Sequence, residues 1–278
     1  MAQVDQESLA EIDRLHNQDR HETVLVRLAD LEPEGGRERA ELLWREARAR
    51  FSRVDLGLYA GTVGDNEAMR RLEEIQAVAD RAISSSEPNA PAQAHFWRGA
   101  ARAKRGELKG VLNALFMAND LRNDMKAAVS ADAEYGNSYY LLGQLYHRVP
   151  GFPISFGDGV AAVSFSRKAV DLHDSDYASE EVSVRYWDYY VKLAEHLDAR
   201  GWSLRRRRRE IPDIREDART ASSPFEAAMY YDGTADLPEL SDGEEADRLL
   251  EFVVSGLTSQ DELSIRDRRT LEAARALQ

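Results

Sequence analysis

The sequence contains no cysteine, which excludes disulfides, thiol nucleophiles and thiolate metal ligands. It also has no apolar run close to the roughly 18 residues that a membrane-spanning helix requires. We therefore expect no integral membrane segment. The first residues lack the basic start and apolar core of a signal peptide, so the chain as written is expected in the cytoplasm.

Catalytic signatures are missing as well. The sequence has no nucleophile-elbow, Walker or dinucleotide-binding motif, and its six histidines do not have the spacing of metal ligands. Carboxylate pairs such as Glu73-Glu74 are adjacent and so point to different sides of a helix. We therefore predict no catalytic residue, no metal site and no cofactor.

The charge is acidic and unevenly distributed. The formal net charge is −13, and residues 210–278 alone carry 17 acidic and 7 basic side chains. An acidic chain is not expected to bind nucleic acid. The five consecutive arginines Arg205–Arg209 are interpreted as a solvent-exposed helix face. The acidic side chains expected to pair with them are Glu210, Asp213, Glu216 and Asp217.

Helical periodicity is what the sequence does contain. Apolar residues recur at helical spacing almost throughout, and strand alternation is absent. The string Tyr139-x2-Leu142-Gly143-x2-Tyr146 matches the first helix of a tetratricopeptide repeat. Small residues follow where a second helix would cross the first, at Ala162, Ser166 and Ala169.

The predicted fold is therefore all-α, a tetratricopeptide-like superhelix of helical hairpins. We assign residues 1–216 to the repeat domain and residues 217–243 to an extended acidic connector. Residues 244–278 are predicted to form a C-terminal hairpin that caps the stack.

One break interrupts the helical pattern, the string HRVPGFPISFGDG at residues 147–159. Conformation-fixing residues predict an ordered turn whose last member caps the next helix. These structural residues are Pro150, Gly151, Pro153, Gly157 and Asp158. Phe152, Ile154 and Phe156 alternate and can pack beneath the turn as a small core. Two interpretations stay open: a structural plug, or a loop that lines a ligand or partner site.

Aromatic residues concentrate in the first helices of the repeats, which line the concave face of such superhelices. Neighbouring residues on a helix point about 100° apart. We therefore expect one member of Tyr139-Tyr140 and one of Tyr189-Tyr190 to leave the core. Exposed rings suit a protein partner or an apolar ligand. The candidate binding residues are Trp97, Tyr139, Tyr140, Tyr146, Phe152, Phe156, Tyr189 and Tyr190.

Several strings resemble a known family. They are WREARA at 44–49, HFWRG at 95–99, YYLLGQLY at 139–146 and, above all, PGFPISFGD at 150–158. In these the chain resembles the tetratricopeptide-like T component of tripartite ATP-independent periplasmic (TRAP) transporters. It is similar, more distantly, to the regulator of microtubule dynamics proteins.

The resemblance implies an accessory protein of a TRAP-type uptake system. Bacterial members are usually exported lipoproteins, so a trimmed leader with its lipid-bearing cysteine would place the chain in the periplasm. The implied partner is a solute-binding protein or its small apolar ligand. A cytoplasmic adaptor that joins proteins without any ligand is the alternative.

Overall fold

The structure, a computed structural model, describes residues 2–278, with only the backbone described for residues 2 and 111–114. The described residues are mainly helical, which confirms the predicted all-α class of helical hairpins. One short parallel pairing joins two strands, β1 (Ala2–Gln3) and β2 (Leu31–Glu32). No helix among these residues is both long and apolar enough to cross a membrane.

The helices pack as two compact units that divide between Asp132 and Ala133. This division follows packing, whereas the predicted boundaries at residues 216 and 243 follow repeat content and composition. Those boundaries therefore stay predictions.

The first unit is built from pairs of consecutive helices. They are α1 (Gln6–Asn17), α2 (His21–Ala29), α3 (Gly36–Tyr59), α4 (Asp65–Ser86), α5 (Ala92–Lys109) and α6 (Val111–Ala131). Helix α3 packs against α4, and α5 packs against α6. Leu72 and Ile75 of α4 are buried in the core beside Val54 of α3.

Helix α5 continues through Gly106 and ends at Gly110. Gly110 has a φ of 87°, a left-handed conformation that is strained for residues with a Cβ. Gly106 is buried within the helix. The helix therefore ends at Gly110, where the positive φ favours glycine.

The second unit contains the remaining helices. They are α7 (Gly136–Arg148), α8 (Gly159–Ala178), α9 (Trp187–Arg200), α10 (Leu204–Thr220), α11 (Pro224–Met229), α12 (Asp242–Thr258) and α13 (Ile265–Leu277), with a 3-10 turn at Tyr231–Gly233. Helix α8 packs between α7 and α9, while α12 and α13 both pack against α9. The C-terminal hairpin thus packs on α9, and its role as a cap of the stack stays a prediction.

Glycines at the helix crossings explain the repeat pattern. A Cβ on Gly143 of α7 would lie 2.2 Å from Ser166 Oγ and 3.2 Å from the carbonyl oxygen of Ala162. A Cβ on Gly99 of α5 would lie 2.6 Å from the Met125 side chain of α6. Small residues are required here because the paired helices touch, which is the physical basis of the repeat prediction.

The extended conformation predicted for residues 217–243 is wrong. The stretch contains the end of α10, all of α11 and the 3-10 turn. Phe225 of α11 is buried and its ring lies 5.6 Å from that of Phe165 in α8. Two of the acidic side chains near the end of the stretch, Asp232 and Asp242, are fully buried. Apolar anchoring and buried charge therefore fold a segment whose composition indicated a linker.

Six charged side chains form a buried ion-pair network in the second unit. Its members are Arg167 of α8, Arg200 of α9, Arg207 of α10, Asp232 of the 3-10 turn, and Asp242 and Glu245 of α12. None of the six side chains is more than 7% exposed. Three positive charges meet three negative charges, so the buried charge is balanced.

The geometry of the network is tight. Arg167 donates to both oxygens of Glu245 at 2.6 and 3.1 Å, and Arg200 donates to both oxygens of Asp242 at 2.8 Å. Asp232 accepts from both arginines, at 2.6 Å each. Although burial opposes the charged form, these arginines hold the pKa of Asp232 below its ordinary value. Bidentate pairs connect α12 to α8 and α9, and Asp232 connects the 3-10 turn to the same two helices through one bond to each arginine.

The arginine run is only partly solvent-exposed. Arg207 is 3% exposed and donates to Glu245 Oε2 at 2.7 Å, so the expectation of a wholly solvated face is wrong at this residue. Because a helix turns about 100° per residue, one member of a run of five must face inward when one side is covered. Arg209 pairs with Glu210 at 2.5 Å, as expected.

Candidate functional site

The break between α7 and α8, here called the 149–158 loop, is an ordered turn. The N–H of Gly157 donates to the Pro150 carbonyl at 2.9 Å, and the N–H of Asp158 donates to the Tyr146 carbonyl at 3.1 Å. A Cβ on Gly157 would lie 1.8 Å from the carbonyl oxygen of Val149, so the two arms of the loop are in contact. The loop is therefore closed at its base by backbone packing that only glycine allows.

Asp158 fixes the far end of the loop. Its Oδ1 accepts from the N–H groups of Val160 at 2.7 Å and Ala161 at 3.0 Å, at the start of α8. This is the N-cap geometry expected from the sequence. Gly151 accepts from the N–H of Ile154 at 3.1 Å, which turns the chain at the tip.

The apolar side chains of the loop separate into two groups. Phe156 packs inward, with its ring 5.1 Å from that of Tyr146. Phe152 is 92% exposed and Ile154 is 72% exposed. The predicted small core beneath the loop is therefore wrong for two of its three members. Phe156 adjoins Gly157 at the base of the loop and packs on Tyr146, while the tip residues Phe152 and Ile154 extend into solvent.

Ile154 was missed as a candidate binding residue. Alternation alone would place Phe152, Ile154 and Phe156 on the same side of an extended segment. The structure instead turns the chain at the tip, where the N–H of Ile154 donates to the Gly151 carbonyl, and this turn separates Phe156 from the other two. The sequence pattern therefore gives no signal that distinguishes Ile154 from Phe156.

The first tyrosine pair divides as expected. Tyr139 is fully buried and its hydroxyl donates to the Ala133 carbonyl at 2.8 Å. Tyr140 is half-buried and stacks on Tyr189, with 4.4 Å between the ring centroids and 13° between the planes. The hydroxyl of Tyr189 donates to Asn137 on α7.

The second tyrosine pair does not divide. Tyr189 and Tyr190 are 4% and 3% exposed, so the expectation that one of them leaves the core is wrong. Helix α12 packs on the side of α9 that the repeat alone would leave open, and its Phe252 lies 5.3 Å from the Tyr190 ring. A third helix thus covers Tyr190, so neither member of this pair leaves the core.

Trp97 belongs to the first unit, whereas the other seven candidate residues belong to the second. It is half-buried, with its ring 5.4 Å from Phe51 and 4.9 Å from Phe96. Its surroundings are those of a packing residue. A binding role for Trp97 and for the tyrosines stays a prediction.

A buried serine and histidine lie near the base of the loop. Ser166 Oγ and His196 Nδ1 are 2.7 Å apart, and both residues are 2% exposed. Burial, with a smaller contribution from His147, lowers the pKa of His196 to about 3, so the ring is neutral near pH 7. In this position the pair joins α8 to α9 and presents no surface to a substrate.

The described residues thus bring two features together at the end of the α7–α8 hairpin. One is a polar, hydrogen-bonded frame, and the other is a pair of exposed apolar side chains, Phe152 and Ile154. A frame of this kind can present an apolar surface to a partner without rearrangement.

Sequence comparison finds one family. The family model described as regulator of microtubule dynamics protein 1-3 matches residues 8–154, from α1 to the tip of the 149–158 loop. No curated protein matches the sequence at a significant level. The match supports the second of the two resemblances noted in the sequence, while the TRAP resemblance stays a prediction.

Proposed function

Because the chain belongs to the regulator of microtubule dynamics protein 1-3 family, we propose that it is a non-enzymatic scaffold that binds a protein partner through the 149–158 loop. The observation that carries the proposal is the exposure of Phe152 and Ile154 on a frame fixed by backbone hydrogen bonds. Large apolar side chains left exposed on an ordered loop offer a partner apolar area to bury.

The energetic argument rests on burial. Covering a phenylalanine or isoleucine side chain stabilises a complex by about 1.5–3 kcal/mol each. The loop is closed before binding, so little backbone entropy is lost when a partner covers it. Two side chains of this kind, acting together, are enough to decide whether a complex of moderate affinity forms.

The finer version of the proposal is an accessory role in a TRAP-type uptake system, with a solute-binding protein as the partner. The sequence resemblance of the PGFPISFGD string motivates it, and that string is the 149–158 loop itself. A small apolar ligand is a second candidate. The half-buried ring of Tyr140, stacked on Tyr189, favours it because flat aromatic surfaces suit such ligands.

Photo-crosslinking in the native host tests the proposal. The full chain carries p-benzoylphenylalanine at position 152 or, as the control, at position 116. Phe116 of α6 is 83% exposed, so the two sites have similar access to solvent. We expect a discrete protein adduct from position 152 that is absent from position 116, and mass spectrometry identifies its partner.

A second arm keeps benzoylphenylalanine at position 152 as the reporter and adds Ile154→Ser. Removing the other exposed apolar side chain of the loop should weaken the adduct. Equal labelling from positions 152 and 116 would contradict the loop proposal. A solute-binding protein in the adduct would support the uptake role, whereas a co-purifying small molecule without any adduct would favour the ligand-binding alternative.

A further inference from the structure

Arg185 lies inside a cluster of aromatic rings in the second unit. Its guanidinium carbon is 4.3 Å from the ring centroid of Tyr177, 5.5 Å from Phe252, 5.6 Å from Trp187 and 5.7 Å from Tyr190. All four distances fall within the roughly 6 Å over which a cation and an aromatic face attract. We call these four residues the aromatic cage.

A carboxylate completes the cage. Arg185 Nη1 donates to Asp174 Oδ1 at 2.7 Å and also donates to the Tyr190 hydroxyl. The same hydroxyl donates to Asp174. Burial and the Asp174 carboxylate both raise the pKa of Tyr190, which keeps its phenol neutral. The cage thus offers ring faces, one negative charge and a hydroxyl to the group it holds.

The walls of the cage stand on helices and contact one another. Tyr177 is on α8, Trp187 and Tyr190 are on α9, and Phe252 is on α12. The Phe252 ring lies 5.3 Å from both Trp187 and Tyr190. A Cβ on Gly256 would lie 2.2 Å from the Trp187 ring, so this wall is tightly backed. Trp187, Tyr190 and Phe252 are therefore held in place by contacts that do not involve Arg185.

The cage is open to solvent on one side. Tyr177 is 39% exposed and Phe252 is 43% exposed. The side chain of Asp174 is 46% exposed, while Arg185 itself is only 21% exposed. A ligand could therefore reach the rings and the carboxylate from outside if Arg185 withdrew.

Arg185 is carried by a connection and not by a helix. Residues 179–186 join α8 to α9, and most of the side chains from Ser179 to Ser183 are exposed. The start of the connection is held by Glu181 N–H on the Asp176 carbonyl at 2.9 Å, and its end by Tyr186 N–H on His173 Nε2 at 2.9 Å. The backbone between these two attachments belongs to none of the helices that carry the walls.

We propose that the aromatic cage, with Asp174, is a binding site for an arginine side chain of a partner, and that Arg185 is its built-in competitor. Arginine fits better than lysine because a planar guanidinium stacks on rings while its N–H groups reach a carboxylate. The site is built from residues outside the 149–158 loop, so its existence does not depend on the function proposed above.

Competition by Arg185 sets the expected affinities. A tethered group acts at an effective concentration in the millimolar range or above. A free guanidinium ligand must therefore displace Arg185 from the wild-type protein, which weakens its apparent binding. Removing Arg185 should reveal the intrinsic affinity of the cage.

The test titrates N-acetylarginine amide into the full chain and follows tryptophan fluorescence and thermal stabilisation. We expect Arg185→Ala to bind the probe saturably, with a Kd at least about 10-fold lower than that of the wild type. Arg185→Gln should behave in the same way. N-acetyllysine amide should bind more weakly to both variants.

Two further variants make the result specific. Arg206→Ala is the matched control. Arg206 is on α10, which carries no wall of the cage, and its guanidinium carbon lies 4.9 Å from one ring only, that of Trp202. Its side chain is 51% exposed. We expect this variant to bind the probe no better than the wild type. Adding Phe252→Ala to Arg185→Ala should weaken probe binding about 10-fold.

The proposal is overturned if Arg185→Ala and Arg185→Gln bind no better than the wild type or Arg206→Ala. It is equally overturned if Phe252→Ala leaves the affinity unchanged, because the probe then binds elsewhere. Unfolding of both Arg185 variants, with and without the probe, would show that the cage does not exist apart from Arg185 and would also reject the proposal.

Discussion

The buried ion-pair network and the 149–158 loop, both in the second unit, invert the usual arrangement of side chains. In the network, six charged groups are removed from water, including Arg167, Asp232 and Asp242. In the loop, Phe152 and Ile154 are left in water. Charge normally lies outside and apolar surface inside, so each region departs from the rule in the opposite direction.

The difference teaches how stability and recognition are separated in this unit. A buried charge is costly to leave unpaired, so the network tolerates little change although it need not add net stability. An exposed apolar side chain costs the folded chain almost nothing, and its burial by a partner is favourable. The predictions below break one region or the other, beginning with the largest expected effect.

Asp242→Asn should break the network. Asp242 accepts from Arg200 at 2.8 Å through both oxygens and from the Trp202 N–H at 2.9 Å. Removing its charge leaves three buried arginines with only two carboxylates, so we expect unfolding to become easier by about 3–5 kcal/mol. Urea denaturation measures the change. Glu239→Gln is the control, because it removes only the exposed pair with Arg208. Equal midpoints for the two variants would contradict the role of the network.

Gly157→Ala should break the base of the loop. The new methyl group would collide with the Val149 carbonyl, and we expect a loss of about 3 kcal/mol, at the upper end of the cost of overpacking. Gly159→Ala is the matched control, since its Cβ would meet nothing within 4 Å. Thermal melts of both variants decide the matter, and indistinguishable midpoints would show that the two arms of the loop need not touch.

Lowering the pH should reduce the stability of the folded protein through protonation of His196, which joins α8 to α9. The folded protein binds a proton at His196 only near pH 3, whereas the unfolded chain binds one near pH 6.5. Between these values the unfolded state holds more protons, so stability falls as pH falls from 6.5 towards 3. At pH 5 the loss attributable to this ring is about 2 kcal/mol.

The measurement compares urea midpoints at pH 7 and pH 5 for the wild type and His196→Gln. The variant should show the shallower pH dependence, even if it is less stable at both values. An identical slope in the two proteins would mean that His196 is not the group responsible.

Phe152→Ser/Ile154→Ser should have the smallest effect on folding. Because these side chains are 92% and 72% exposed, we expect a change within about 0.5 kcal/mol in urea denaturation. Phe156→Ser, at the inward position next to Tyr146, should cost more because it removes a packed ring. If the double variant were the more destabilised of the two, the separation of stability from recognition would fail.

The sequence was sufficient for the helical class and for the physical basis of the repeat. Gly143 and Ser166 are small because their helices touch, and short-range spacing records that requirement. Spacing does not record what covers a helix from far along the chain. Tyr190 is buried by Phe252, more than sixty residues later, and the tyrosine pattern alone could not show this.

The candidate site was predicted in position but not in orientation. The glycines and prolines of the 149–158 loop indicated an ordered turn, because few other residues adopt such backbones. Whether Phe152 or Phe156 faced inward depended on the space beneath the turn, which three-dimensional packing decides. The burial of Arg207 could not be predicted for a similar reason, because its partner Glu245 lies on another helix.

The order of the network along the chain has a consequence for synthesis on the ribosome. Arg167, Arg200 and Arg207 emerge first, and Asp232, Asp242 and Glu245 follow them. Until the 3-10 turn and then α12 have left the exit tunnel, the three guanidinium groups lack the carboxylates that pair with them in the folded unit. The first unit contains none of these residues and can finish its core earlier. Translation therefore imposes a delay between the two units, and a chain arrested before residue 232 contains none of the three carboxylates that neutralise these arginines.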